Sequence, residues 1–446
     1  MTQLPEIFLA QMQKILPSGE FEAFLETYQD PTVRGLRFNR LKPSNIYTEL
    51  LPVPWCADGR YYPGEERPAK SIYFHAGLFY IQEPSAMCPV EVLKPEPGHR
   101  VLDLCAAPGG KSAQIAGHLQ GRGLLVSNDA SPTRSRALVK NLERMGVTNA
   151  VVTTEMPNKL ANRFPQFFDR ILVDAPCSGE GMFRRDADAI KAYTANKPVA
   201  CVQMQTEILA QAAKMLKPGG RLVYSTCTFN IQENEAAIED FLKQQADFKV
   251  ISIDHKKLGI SHGLGDLPEV GRIFPHRATG EGHFVALLEK IGESEAIQGF
   301  ENLCPKEQLH KEFAEFCKEY ITIPNFPNGF IVPHGANLYL QPEKIDLNGL
   351  RVARSGWFLG EVAKKRFVPS QALAMGLRKQ DVAYSVELSE ENAMRYLKGE
   401  SLDAGDLQFP NSKPWVMLCY HGYPLGWAKL VQGRLKNNLP VGWAIS

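Results

Sequence analysis

Two cysteines of this chain stand where a thiol could do covalent chemistry. Cys177 lies in Asp174-Ala175-Pro176-Cys177-Ser178-Gly179 and Cys227 in Ser225-Thr226-Cys227-Thr228, each just past an apolar run of strand type. A free cysteine is most often a small buried hydrophobe. Flanking hydroxyls and a loop position favour an ionisable thiol here. Asp174, ahead of the first thiol, could hydrogen-bond an exocyclic amine or share a proton with a ring nitrogen. A thiolate that adds to carbon 6 of a pyrimidine makes carbon 5 enamine-like, so that carbon 5 can take a methyl group. Loss of the carbon 5 proton then expels the thiolate. A ring inside a base stack is out of reach, so such a target must be unpaired or flipped out.

A candidate ligand loop precedes both thiols. Val101-Leu102-Asp103-Leu104 reads as a buried strand that runs into Cys105-Ala106-Ala107-Pro108-Gly109-Gly110-Lys111, and Ser112 to Leu119 has helical spacing. In an open α/β sheet, a nucleotide-like ligand sits at the carboxyl end of the first strand, against the next helix N-terminus. Gly110-Lys111-Ser112 also matches the tail of the phosphate loop G-x-x-x-x-G-K-[ST], but Cys105 stands where that pattern needs its first glycine. An ATPase reading therefore falls behind. Asp129, 19 residues after Gly110, closes a second strand with an acid suited to a ribose diol. Followed by Ser131-Pro132, it would also suit a helix cap. Arg134 and Glu155 are further candidates for the cofactor pocket, each weighed against a plain surface charge.

The elements that must position these residues alternate. Strands are expected at Arg100–Leu104, Leu124–Ser127, Val151–Thr153, Arg170–Val173, Arg221–Ser225 and Phe284–Leu288. Helices are expected at Arg134–Met145 and Val199–Leu216, the second stopped by Lys217-Pro218-Gly219-Gly220. Such alternation predicts an α/β fold with a largely parallel, doubly wound sheet. Upstream, Leu4, Ile7, Phe8, Met12 and Ile15 mark an amphipathic helix within Met1 to Leu16, and Arg34 to Arg40 is basic with apolar alternation. Beyond Lys290 the composition changes: Glu293 to Tyr320 is charged and helical, and short strand-like pieces follow.

A chain of 446 residues is too long for one core, and 44% hydrophobic with 22% charged residues is ordinary soluble globular material. A net charge of +1 means that any nucleic-acid surface must be a local patch. Between Arg351 and Lys379 seven basic residues (Arg351, Arg354, Lys364, Lys365, Arg366, Arg378, Lys379) face one acid, Glu361, with Trp357, Phe358 and Phe367 interleaved. Basic groups bind phosphates and aromatics stack on bases, although a solvated face over a small core would look the same. Nine cysteines, an odd number with no C-x-x-C pair, argue against a disulfide framework or a zinc site. His255/His262 and His276/His283 lack ligand spacing, so no metal is expected. The first helix has neither the basic nor the apolar region of a signal peptide, and no apolar run approaches the ~18 residues of a membrane span. A cytoplasmic, multidomain monomer is expected.

Taken together, the three main motifs resemble those of the Nop/Sun (Fmu) RNA cytosine-5 methyltransferases. Gln82-Glu83-Pro84-Ser85-Ala86-Met87 and Gly282-His283-Phe284 add to the likeness, which extends over nearly the whole chain. The tail, with Phe367-Val368-Pro369-Ser370 and Gly422-Tyr423-Pro424-Leu425-Gly426-Trp427, resembles the bacterial branch that acts on small-subunit ribosomal RNA, whose last module is PUA-like and binds RNA. The resemblance implies a Rossmann-like, S-adenosylmethionine-dependent domain at 73–290, an RNA-binding extension at 1–72, a small α/β module at 291–370 and a PUA-like module at 371–446. It implies that S-adenosylmethionine is held by Cys105, Ala106, Ala107, Pro108, Gly109, Gly110, Lys111, Asp129 and Asp174, with Arg134 a contact seen in some relatives. Cys227 would attack carbon 6, Cys177 would assist product release, and Lys111 would orient donor or base. Many relatives carry Asp after the third strand, where this chain has Glu155. The implied reaction is methylation of carbon 5 of cytosine in 16S ribosomal RNA. The alternatives are the same reaction on tRNA, or a non-catalytic RNA-binding assembly factor. The presence of Cys227, Cys177 and Asp174 together argues against the last.

Overall fold

The computed structural model describes residues 4–293, 310–323, 326, 329–405 and 414–445. Cys304 and the first part of the charged stretch after Glu293 lie outside the described residues.

Five parallel strands form the centre of the largest sheet: β1 (Arg100–Asp103), β2 (Leu124–Asn128), β3 (Ala150–Thr153), β4 (Phe168–Asp174) and β5 (Leu216–Thr226). Their spatial order is β3-β2-β1-β4-β5, so the chain reverses direction across the sheet between β1 and β4. That switch opens a crevice at the carboxyl ends of the strands. Both edges depart from the expected parallel arrangement. β6 (His283–Lys290) runs antiparallel to β5, and β7 (Val352–Arg354) runs antiparallel to β3. α1 (Gly110–Leu119), α2 (Pro132–Arg144) and α3 (Lys197–Met215) link the strands.

Successive strand residues feed opposite faces of the sheet. Val101, Leu125 and Leu172 pack on one side with Ile115, Leu119, Leu138 and Leu142 of α1 and α2. Leu102, Val126 and Ile171 pack on the other with Ile208, Leu209 and Ala212 of α3. Strands buried on both faces read as unbroken apolar runs, which is why β1 and β2 were legible as strands. α3 ends at Met215, just ahead of Lys217-Pro218-Gly219-Gly220 as expected, and that segment also lies inside β5, with a register shift against β4 between Phe168 and Arg170.

The amino-terminal helices Glu6–Ile15 and Glu20–Glu26 bury Phe8, Met12 and Phe24 against Phe183, Phe229 and Phe274, beside the loops that carry the two thiols. A four-stranded sheet follows, in the order Pro52–Val53, Cys56–Tyr61, Gly35–Phe38, Phe79–Ile81. Arg37 of the basic segment is only 2% exposed. It donates to Gly110 O (2.8 Å), Gln114 Oε1 (3.2 Å) and Gln82 Oε1, and so ties this sheet to the start of α1.

Two further sheets lie after β6. One joins Phe330–His334, Asn337–Gln341, Trp357–Ala363 and Arg366–Pro369; the other has five strands between Ser385 and Asn437. The last shares a core with the amino-terminal sheet, where Leu36, Leu78 and Phe79 meet Tyr396, Val416 and Leu418. The patch from Arg351 to Lys379 is not a continuous stacking surface. Trp357 and Phe367 are buried, and Trp357 Nε1 donates to Ala372 O at 2.9 Å. Arg351, Arg354 and Lys379 pair with Glu155, Glu143 and Glu387. What stays exposed as a group is Lys364-Lys365-Arg366, at the turn between two strands. No helix among the described residues is long and apolar enough to cross a membrane.

Candidate active site

The loop after β1 is built to bring backbone close to a ligand. Gly109 caps α1 at φ +108°, a conformation that favours glycine. A Cβ on Gly110 would lie 3.1 Å from the Tyr80 ring and 3.4 Å from Gln82 Nε2, so both glycines are needed for tight packing. Ala106 N–H donates to Asn128 O at 2.7 Å, and Ala107 N–H to Asp129 Oδ2 at 3.2 Å. Asp129 Oδ1 accepts from Ser131 N–H at 3.0 Å. The α2 cap is Ser131, whose side chain accepts from Arg134 N–H, and not Asp129. Arg134 Nη2 donates to Ala107 O at 2.7 Å. Cys105 is half-buried, and burial among Asp103, Asp174 and Asp129 pushes its thiol up, out of the nucleophile's range.

Carboxylates converge on this loop. Asp103, at the end of β1, accepts from Ser112 Oγ at 2.6 Å, and its other oxygen is buried with no partner among the described residues. Burial pushes its carboxyl up to about 7. Asp174, at the end of β4, accepts from Lys111 Nζ at 2.7 Å and Ser225 Oγ at 2.8 Å. His283 Nε2 lies 3.6 Å away. Burial alone would raise the Asp174 carboxyl, but Lys111 and His283 outweigh it and hold it well below the usual carboxylate range. Asp174 and Asp129 balance Lys111 and Arg134, and Asp103, its carboxyl pushed up to about 7, adds negative charge only as pH rises past that value. Together with backbone N–H groups at a helix start, these acids fit a nucleoside-bearing cation such as S-adenosylmethionine.

The register Asp174↔Ser225 brings the ends of β4 and β5 side by side. Cys177 and Cys227 then meet across the sheet edge, Sγ to Sγ 3.4 Å. Ser178 Oγ and Thr228 Oγ1 share a hydrogen bond of 2.7 Å, which ties the two loops. Glu233 Oε2 accepts from Ser178 N–H (2.8 Å) and Gln205 Nε2 (3.1 Å), and Gln205 also donates to Pro176 O (2.9 Å). The bond to Cys227, then burial, pushes the Cys177 thiol well above its ordinary value. Lys111 interacts with Cys227 as well as with Asp174. Gly181 N–H donates to Cys227 O at 2.8 Å, and a Cβ on Gly181 would collide with that carbonyl at 2.8 Å.

The tertiary fold thus brings together Lys111, Asp174, Cys177 and Cys227, and places Asp129 and Arg134 at the same loop. Glu155 is the exception, because both of its carboxylate oxygens are engaged by Arg351. Sequence reasoning did not single out Asp103, Asn128, Gln205, Glu233 or the individual place of His283. Asp103 had a signal, an acid ending an apolar strand before the ligand loop. The others act through neighbours distant in the chain.

A β3-β2-β1-β4-β5 parallel sheet with a glycine loop after β1 and acids closing β2 and β4 defines a Rossmann-like fold of the S-adenosylmethionine-dependent methyltransferase class. Family profiles narrow this. That for the 16S rRNA methyltransferase RsmB/F matches residues 90–289, and that for the N-terminal domain of 16S rRNA methyltransferase RsmF matches 4–84. The RsmF first C-terminal domain matches 315–377 and the methyltransferase RsmF PUA domain 383–445. The chain is 33% identical to the ribosomal RNA small subunit methyltransferase F of Erwinia tasmaniensis, over 98% of this chain and 96% of that protein. It is 32% identical to the protein of the same name from Salmonella schwarzengrund, over 98% and 95%. A crystal structure of a methyltransferase homolog protein from Pyrococcus horikoshii superposes with a TM-score of 0.56 at 29% identity, covering 64% of this chain and 95% of that one. The chain belongs to the 16S rRNA methyltransferase RsmB/F family and is a methyltransferase.

Proposed function

We propose that the protein methylates carbon 5 of cytosine in 16S ribosomal RNA through a covalent adduct between Cys227 and carbon 6. The observation that carries this reading is the pair of thiols 3.4 Å apart at the sheet edge, beside the Lys111–Asp174 pair at 2.7 Å. S-Adenosylmethionine would be held by residues 105–111, Asp129, Arg134 and Asp174, and when bound supplies an electrophilic methyl group. Cys227, which interacts with the Lys111 charge, adds to carbon 6. Asp174, anchored by Lys111 and Ser225, orients the ring through its amine and ring nitrogen. Cys177, whose thiol is held well above its ordinary value, assists release: the carbon 5 proton passes to solvent water, its bonding electrons re-form the carbon 5–carbon 6 double bond, and Cys227 leaves as thiolate with the product.

The outer units, 1–72, 291–370 and 371–446, would grip the RNA and present an unpaired cytosine to the catalytic unit, 73–290, in a chain acting as a cytoplasmic monomer on the small subunit. Cys227→Ala should abolish turnover and leave donor affinity within about twofold. Cys177→Ala should trap an RNA–protein adduct, seen as a slow band on a denaturing gel. Bisulfite sequencing of 16S ribosomal RNA from cells with and without the gene identifies the base. An adduct that needs Cys177 and forms without Cys227 reverses the two roles.

A further inference from the structure

Glu155 follows the end of β3, and its side chain is fully buried. Its Oε1 accepts from Arg351 N–H at 2.8 Å and its Oε2 from Arg351 Nη2 at 3.2 Å. Lys159 Nζ is 3.7 Å from Oε2. Thr154 N–H donates to Arg351 O at 2.8 Å, so the backbone of residue 351 is held from both sides. From there β7 runs along β3, and Arg354 Nε donates to Glu143 Oε1 at 2.8 Å.

The backbone of Glu155 is in turn held by Asn128. Glu155 N–H donates to Asn128 Oδ1, and Asn128 Nδ2 donates to Glu155 O, both at 2.9 Å. The same Nδ2 donates to Leu104 O at 3.1 Å, and Asn128 O accepts from Ala106 N–H at 2.7 Å. An unbroken run of hydrogen bonds therefore links Arg351, in a segment about 200 residues downstream, to the loop that cradles the donor. Without the Arg351 guanidinium, the buried Oε2 of Glu155 would keep only Lys159, at 3.7 Å, and to replace the lost hydrogen bond would have to find water or a proton. At Glu155 either response would displace the residue that Asn128 uses to hold the loop.

We infer that Arg351 is a positioning residue for the methyl donor: docked on Glu155, it makes the carboxyl-terminal segment part of the frame that shapes the donor loop. Glu155 serves as the anchor for Arg351, and its carboxylate is not spent on the donor. The inference rests on S-adenosylmethionine being the donor.

The test uses the full-length protein. Affinity for S-adenosylmethionine and S-adenosylhomocysteine is measured by calorimetry, donor KM and kcat on 16S ribosomal RNA, and folding by thermal melting. Arg351→Ala should weaken donor Kd and raise donor KM about tenfold, about 1.4 kcal/mol, while kcat at saturating donor falls less than about twofold. Arg351→Lys should recover most of the loss. Arg354→Ala, which breaks the Glu143 pair and leaves Glu155 engaged, should move donor Kd less than about twofold. If Arg351→Ala fails to fold, Glu155→Gln carries the test, since it keeps an acceptor for Arg351 N–H and should weaken the donor about threefold to tenfold. Donor binding unchanged in both Arg351→Ala and Glu155→Gln overturns the inference. So does an Arg354→Ala loss equal to that of Arg351→Ala, or a fall in kcat with donor Kd unmoved. A wild-type chain that binds neither ligand overturns the donor reading along with it, whereas wild-type binding with unaltered variants overturns the positioning role alone.

Discussion

Asp103 and Asp174 close adjacent strands, and their surroundings push them in opposite directions. Asp103 has one hydroxyl partner and no ion pair among the described residues; Lys111 offsets burial only in part, so burial wins and its carboxyl rises to about 7. In the unfolded chain it ionises near 4, so stability present below pH 4 is lost as pH rises to about 7. Asp103→Asn removes that loss. It should stabilise the protein by on the order of 1–3 kcal/mol at pH 8 and by little near pH 4, read by denaturant unfolding at the two pH values. Equal effects at both would mean that Asp103 is not held neutral. Asp174 behaves oppositely because Lys111 meets it at 2.7 Å. Lys111→Met would leave the half-buried Asp174 carboxylate, 30% exposed, with His283 as its remaining charge partner, a change that should cost less than the ~3–5 kcal/mol typical of a fully buried pair. Donor or base binding should fall with it, while Lys111→Arg retains part of both. Motif spelling made Lys111 and Asp174 visible, but not that they neutralise each other.

The two thiol loops are held by elements far from them in the chain. Gln11 of the first helix donates to both carboxylate oxygens of Glu180, and Glu180 Oε2 accepts from Phe229 N–H at 3.0 Å, two residues past Cys227. Beneath lies the aromatic cluster in which Phe8 meets Phe183 edge-on at 5.1 Å and Phe24 meets Phe229 at 5.4 Å. Phe8→Ala should cost about 3–5 kcal/mol through lost burial and a cavity. It should also lower kcat more than donor affinity, because the helix braces the thiols and not the glycine loop. Donor affinity falling in step with kcat would count against that division. The amphipathic spacing of Phe8 and Met12 predicted a helix; no periodicity could say which surface it would cover. Asn128 is a similar case. An Asn ending a strand is unremarkable in sequence, and its grip on Leu104 and Glu155 exists only because β2 lies between β1 and β3.

Across the whole molecule, the amino-terminal and final sheets share one core, so the segments proposed to hold RNA meet each other as well as the catalytic sheet. Burial withdraws Trp357 and Phe367 of the basic, aromatic stretch from solvent, and ion pairs engage Arg351, Arg354 and Lys379 while leaving them partly exposed. Lys364, Lys365 and Arg366 form its exposed cluster, with Arg378 exposed apart from them. Neutralising all three should weaken RNA affinity and reduce the magnitude of the salt slope by about 2, as expected for the loss of three phosphate contacts to a single strand. Donor affinity should not change. A salt slope equal to that of the wild type would remove this turn from the interface.

By itself the sequence determined the alternation of strand and helix, the glycine loop after the first strand, and the acids and thiols that end later strands. These are local: they follow from apolar runs, helical spacing and the few residue types that a tight ligand loop tolerates. Only the tertiary structure decided that Cys177 and Cys227 touch, since that depends on the register of β4 against β5. The tertiary structure alone also turned Glu155 from a candidate donor contact into the anchor of Arg351, and engaged three basic residues of the patch in ion pairs. Charge partners and burial are set by which elements become neighbours, and neighbours across about 200 residues leave no trace in local spacing.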